Sequence, residues 1–189
     1  MLYRVIKFLS FGILVLFFKL EVRGRGVFPR NKPFILASNH LSNLDPVILG
    51  TVCPRKLNFL AKEELFTKKL FAFFLKNVGA IPLKRNSPDI RSIRLAMRIL
   101  KRKPLVIFPQ GQRGADYDRF RAGVGFLYKR TSVPIIAAKI YGTNTIMPKG
   151  NKIPKRGKVK VSFERVSNFK GRDSYEDIAS KVIETIKSL

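Results

Sequence analysis

Apolar and polar positions along this chain switch repeatedly between strand-like and helix-like spacing. Phe34-Ile35-Leu36-Ala37 is an unbroken apolar run of strand length, followed by a polar loop and a short helix from Pro46 to about Thr51. Leu57–Ala61, Ala80–Leu83, Leu105–Phe108 and Val133–Ile140 read as further short strands. Val159, Val161 and Phe163 alternate with Lys158, Lys160 and Ser162, as in a half-exposed strand. Helical spacing covers Thr67–Val78, Asp89–Arg102 and Val124–Arg130. In the last helix Tyr175, Ile178, Ala179, Val182, Ile183 and Ile186 share one face, with Asp173 and Glu176 placed as a capping box at its start. Strands interleaved with helices predict the α/β class: a single domain over residues 23–189, with a mixed central sheet flanked by helices.

Residues 1–22 form a separate apolar segment. The uncharged stretch from Phe8 to Phe18 is 11 residues long, bounded by Lys7 and Lys19. A straight helix needs ~20 residues to cross a bilayer, so this one is too short. It has the basic start of a signal peptide, but Lys19, Leu20, Glu21 and Val22 stand where small residues would mark cleavage. Two readings stay open: a membrane-docking helix lying in the interface with its lysines reaching the headgroups, or a buried helix of the core.

Charge then narrows the partners. Within 189 residues, 38 Lys and Arg oppose 12 Asp and Glu, a formal net charge of +26. Such a surface calls for an anionic partner: phospholipid, nucleic acid or an acidic carrier. On Asp89–Arg102, Arg91, Arg94, Arg98, Lys101 and Arg102 flank an apolar arc of Ile90, Ile93, Ala96, Met97 and Leu100. On Thr67–Val78, Leu70, Phe71, Phe73, Phe74 and Leu75 cover well over half the circumference, leaving Lys68, Lys69 and Lys76 the remainder. Sixteen Phe without a Trp do not resemble the aromatic platforms of single-strand binders, and no helix-turn-helix, RNP or zinc-finger pattern occurs. Cationic rows beside broad apolar faces favour an anionic membrane surface over nucleic acid. A solvated charge run over a buried helix is the plain alternative.

One histidine and one cysteine limit the chemistry. Cys53 alone forms no intrachain disulfide, and the pair is too few for a Cys/His zinc site, so no metal is expected. Imidazole chemistry must pass through His40, in Ser38-Asn39-His40-Leu41-Ser42-Asn43-Leu44-Asp45-Pro46, directly after the first strand. Loops at the carboxyl ends of strands are where α/β proteins place ligands and catalysis. A carboxylate on one ring nitrogen fixes the tautomer, and the loop is long enough to bring Asp45 back to His40. The plainer reading is a surface histidine, with Asp45 as an N-cap and Pro46 as first helical residue. No Gly-x-Ser-x-Gly elbow is present, so a His/Asp pair here suits direct attack by a substrate hydroxyl on an activated acyl carbon. Phe108-Pro109-Gln110-Gly111-Gln112-Arg113-Gly114 also follows a strand; Gly111 permits close backbone approach, and Arg113 offers a bidentate phosphate grip. A third piece, Gly79-Ala80-Ile81-Pro82-Leu83-Lys84-Arg85, is a strand ending in two cations.

Taken in order, these pieces resemble the lysophosphatidate acyltransferase (1-acyl-glycerol-3-phosphate acyltransferase) family. Its His-x4-Asp block, usually preceded by Asn, is matched by Asn39, His40 and Asp45, and its second block by Gly79 and Arg85. The third, normally Phe-Pro-Glu-Gly-Thr-Arg or its Ser equivalent, stands here as Phe108-Pro109-Gln110-Gly111-Gln112-Arg113, and the fourth is similar to Val133-Pro134-Ile135-Ile136. Ala61-Lys62-Glu63-Glu64-Leu65 and Phe120-Arg121-Ala122-Gly123 also match. The resemblance implies that His40 is the base and Asp45 its orienter. It gives the acceptor's phosphate to Lys62, Arg85 and Arg113, with Gln110 and Gly111 in the same substrate loop. The acyl donor would be acyl-CoA or acyl-carrier protein thioester, with no bound cofactor. The product would be phosphatidate, made by a membrane-associated enzyme at the cytoplasmic face. Gln110 and Gln112 depart from the family pattern; an amide at 110 keeps hydrogen bonding but loses charge. Acylation of a different lysolipid, or a non-catalytic basic membrane- or nucleic-acid-binding protein, are the competing expectations.

Overall fold

The computed structural model describes residues 2–83, 89–111, 122–148, 150–151 and 153–189. In chain order the elements are α1 (Leu2–Phe18), β1 (Glu21–Arg23), β2 (Ile35–Ser38), α2 (Asp45–Val52), β3 (Asn58–Lys62), α3 (Lys69–Asn77) and β4 (Ala80–Leu83). Then come α4 (Asp89–Leu100), β5 (Leu105–Ile107), α5 (Gly123–Thr131), β6 (Ile135–Tyr141), α6 (Thr143–Ile146), β7 (Lys160–Arg165) and α7 (Tyr175–Ser188). Seven strands form one sheet in the order β1-β7-β6-β2-β5-β3-β4. The strands β6, β2, β5, β3 and β4 run parallel, β7 is antiparallel to β6, and β1 is parallel to β7. The sheet is mixed, as the apolar pattern predicts.

The strand β2 lies at the centre and explains why its sequence is apolar without alternation: both of its faces are covered. Phe34 and Leu36 join a core layer with Leu14, Phe18, Ile48, Leu49, Val52 and Ile140, under α1 and α2. Ile35 and Ala37 join the opposite layer with Ala96, Leu100, Leu127, Ile178, Val182 and Ile186, under α4, α5 and α7. The strands β3 and β4 are parallel and joined through α3, and the right-handed sense general to such connections sets α3 on the same face as α2. All five parallel strands therefore end on one edge, and β2, β3, β4 and β5 deliver their following loops to it.

The N-terminal helix packs on the core along one side and leaves the other side uncovered. Leu14 and Phe18 are buried against the core, whereas Phe8 and Leu16 are 78% and 82% exposed. Among the described residues no helix is long and apolar enough to cross a membrane. Three details differ from the sequence reading. The strand β1 straddles the expected boundary after residue 22 and pairs with β7 through Glu21, Val22 and Arg23. The capping box of α7 is Ser174 with Asp177, one residue later than Asp173 with Glu176. Asp173 instead accepts from the Lys170 N–H at 2.8 Å and pairs with Lys181 at 2.5 Å, closing the turn before the helix. Asp45 is the first residue inside α2, and its side chain bonds upstream into the loop instead of capping the helix.

Candidate active site

The site begins where β2 ends. Asn39 fixes the loop to the neighbouring strand: its Nδ2 donates to the Ile140 carbonyl and its Oδ1 accepts from the Ile140 N–H, both at 2.8 Å. Ser42 ties the far side of the loop by donating from Oγ to the Met147 carbonyl at 2.8 Å. Between these anchors the chain turns back, and Asp45 closes it. One carboxylate oxygen, Oδ2, lies 2.9 Å from His40 Nδ1 and accepts from the Leu41 N–H at 2.6 Å and the Ser42 N–H at 2.8 Å. Asp45 is fully buried, at the positive end of α2, which favours an anion there. Its other oxygen, Oδ1, is buried with no hydrogen-bond partner among the described residues.

A carboxylate accepting at Nδ1 holds the proton on that nitrogen, which makes Nε2 the basic position of a neutral ring. The imidazole stacks on Phe108 with ring centroids 4.1 Å apart and planes inclined by 19°. Its side chain keeps 18% exposure, enough for a reactant to reach it. The His40 backbone is held as well: its N–H donates to Gln110 Oε1 at 3.0 Å. Gln110 is buried in the loop after β5, and Gly111 turns that loop with φ of 71° and an N–H bond to the Phe108 carbonyl of 2.9 Å. A carbonyl oxygen meets this requirement as well as a carboxylate, which gives the Gln at position 110 a physical role.

Of the other residues singled out in the sequence, Lys62 is exposed at the carboxyl end of β3. The strand β5 separates it from β2, which places it roughly 10 Å across the same edge at the usual strand spacing. Arg85, Gln112 and Arg113 lie outside the described residues. The structure adds Phe108, Asn39 and Ser42 as groups that aim His40. The Phe-Pro pair at the end of a strand and the polar residues flanking the histidine were the available signals. Cys53 plays no such part: burial pushes its thiol up to about 11, so it carries no thiolate at neutral pH.

This constellation sets an imidazole, held by a buried carboxylate, at the carboxyl edge of a mostly parallel sheet, where α/β enzymes place their chemistry. The family model described as Acyltransferase matches residues 19–141, well over half of the chain, and the protein belongs to that family. The 1-acyl-sn-glycerol-3-phosphate acyltransferase of Bacillus subtilis (strain 168) is 29% identical over 75% of this chain and 70% of its own. The lyso-ornithine lipid O-acyltransferase of Pseudomonas aeruginosa is 31% identical over 67% of this chain and 55% of its own. The chain spans about half the length of several further curated relatives. The crystal structure of the 1-acyl-sn-glycerophosphate acyltransferase PlsC from Thermotoga maritima has the same fold, with a TM-score of 0.82 at 23% identity over 98% of this chain and 77% of that one.

Proposed function

We propose that the protein transfers a fatty acyl group from a thioester to the free hydroxyl of lysophosphatidate, giving phosphatidate, with His40 as general base. The reading rests on the 2.9 Å contact between His40 Nδ1 and the buried Asp45 carboxylate in a member of the acyltransferase family. His40 Nε2 takes the hydroxyl proton as the acceptor oxygen attacks the thioester carbonyl carbon. The tetrahedral intermediate collapses, the carbon–sulfur bond breaks, and the imidazolium returns the proton to the leaving thiolate. An ester and a free thiol result. Asp45 stabilises the transient imidazolium and holds the ring's tautomer. The thioester is already activated, so positioning and proton removal supply most of what is required. Lys62, Arg85 and Arg113 hold the acceptor's phosphate in this scheme, as cations matched to a dianion.

The same proposal sets the enzyme on the cytoplasmic face of an anionic membrane, where acyl-CoA or acyl-carrier protein delivers the acyl group. Support comes from the net charge of +26 and from the exposed apolar residues of α1, over which Arg25 and Arg156 lie on the Phe11 and Phe17 rings at 6.0 and 5.6 Å. The amide at position 110, together with the lyso-ornithine lipid relative, favours one second reading: a lysolipid acceptor other than lysophosphatidate. The deciding experiment is thiol release by the purified chain on mixed vesicles, with CoA and carrier-protein thioesters and a panel of lysolipids. The proposal expects lysophosphatidate to give the highest kcat/KM. A higher value with an uncharged or amine-bearing lysolipid transfers the assignment to the second reading, and no release with any acceptor defeats both.

A further inference from the structure

At the amino edge of the sheet, opposite the His40 loop, a cleft of about 500 Å³ opens between three connections. Arg55 and Lys56 line it from the segment between α2 and β3, Lys76 from the last turn of α3, and Arg102 and Lys103 from the turn between α4 and β5. None of the described residues that line it is Asp or Glu. A cation near the end of a helix has an ordinary explanation in the helix dipole, which accounts for Lys76 and Arg102 one at a time. It does not account for cations from three connections converging on a single hollow.

The floor of the cleft is built. The Pro104 carbonyl accepts from both the N–H and the Nδ2 of Asn58, at 3.2 and 2.9 Å. The Gly79 carbonyl accepts from the Phe59 N–H at 2.9 Å. Gly79 has φ of +93°, and a Cβ there would lie 2.1 Å from the Leu57 carbonyl oxygen, so only glycine allows this wall to close. Arg55 is anchored by the Pro29 and Lys32 carbonyls and stays in place as a fixed charge. Lys76, Arg102 and Lys103 are exposed and able to swing onto a ligand. The helix that supplies Lys76 also leaves Leu70 84% and Phe73 59% exposed, along with Phe71 and Phe74. An apolar helix running into a cationic hollow matches a lipid: acyl chains beside α3, headgroup in the cleft.

We infer that this cleft is a second lipid site, distinct from the catalytic edge, which takes the phosphomonoester headgroup of a bilayer phospholipid. A dianionic monoester presents the charge and the several acceptor oxygens that such a ring of donors requires. The inference stands without the choice of acceptor proposed above, because none of its residues belongs to the His40 loop.

The test is partitioning of the full chain onto phosphatidylcholine vesicles that contain either phosphatidate or phosphatidylglycerol, matched for surface charge. The cleft variant is Lys76→Ser/Arg102→Ser/Lys103→Ser, and the control variant is Arg165→Ser/Lys170→Ser/Arg172→Ser, which removes equal charge near β7. We expect the cleft variant to lose about tenfold or more on phosphatidate vesicles and no more than about threefold on phosphatidylglycerol, while the control loses equally on both. Equal losses of the cleft variant on both lipids would reduce the cleft to diffuse charge and overturn the inference. Tighter binding to free glycerol 3-phosphate than to phosphatidate vesicles at equal phosphomonoester concentration, at constant ionic strength, would make the ligand a soluble phosphomonoester and overturn its lipid source. Thiol release on detergent-dispersed substrate should be unchanged in the cleft variant. A collapse there, with the melting temperature intact, would merge the cleft with the catalytic machinery. His40→Ala should retain the preference for phosphatidate vesicles, which separates failure of this inference from failure of the catalytic proposal.

Discussion

The two faces of the sheet are covered by helices of different character. The helices α4, α5 and α7 bury an apolar stripe and turn polar residues outward; among their described residues, Ile90 is the exposed large hydrophobe. The helices α1 and α3 expose eight and four such residues, including Phe8, Leu16, Leu70 and Phe73. Both faces bury a continuous core against the strands, so the difference is not one of folding. The helices α1 and α3 carry far more exposed apolar surface than α4, α5 and α7, the kind of surface that marks an interaction site. The His40 loop hangs at the edge between them, with the ring's anchors drawn from β2, β5 and β6.

This contrast can be broken from either side. Ile178→Ala, at a fully buried position of α7, should cost about 2–5 kcal/mol and lower the melting temperature accordingly, while leaving vesicle partitioning unchanged. A change in partitioning at matched folded fraction would mean that the two faces are not separable. Conversely, Leu16→Ser and Phe73→Ser should each weaken partitioning onto anionic vesicles by about ten- to a hundredfold, as expected for withdrawing one large apolar side chain from lipid. Neither should shift stability by more than about 0.5 kcal/mol. Unchanged partitioning in both would remove α1 and α3 from the membrane contact.

The smallest effect is the pH dependence of the water-facing side. The Lys181 ammonium hydrogen-bonded to Asp173, helped by the Lys170 N–H, holds that carboxyl below its ordinary 3.8. Bonds from the Ser174 N–H and hydroxyl do the same for Asp177. A carboxyl with a depressed folded pKa contributes stability that is present above its unfolded value and lost as pH falls through the folded one. Urea unfolding below about pH 4 should therefore show a flatter acid limb in Asp173→Asn and Asp177→Asn than in the parent chain. An identical acid limb would show that these bonds do not survive in solution.

Much of this arrangement was legible in the residues themselves. The run Phe34–Ala37 announces a strand covered on both faces, and the spacing of Ile178, Val182 and Ile186 announces the buried stripe of α7. The pairing of His40 with Asp45 was legible as one of two readings, because the loop between them is long enough to bring the carboxylate back to the ring. Other features depend on distant contacts. The strand β1 has three residues, too few for a period, and exists because β7 offers it a partner. Its pairing also draws α1 onto the core through Leu14 and Phe18, which composition alone could not decide. The capping box shifts by one residue because Asp173 is drawn away by Lys181, a partner eight residues along the chain. The bond from His40 to Gln110 joins residues 70 apart, and no local pattern encodes it.

The central claim is that a single imidazole, aimed by Asp45, removes the acceptor's proton on a protein whose membrane contact lies elsewhere. The most direct measurement is kcat for thiol release by His40→Ala, with vesicle partitioning of the same sample determined in parallel. The account predicts a fall of about 10²- to 10⁴-fold in turnover with partitioning unchanged. Turnover within a few-fold of the parent chain would contradict it.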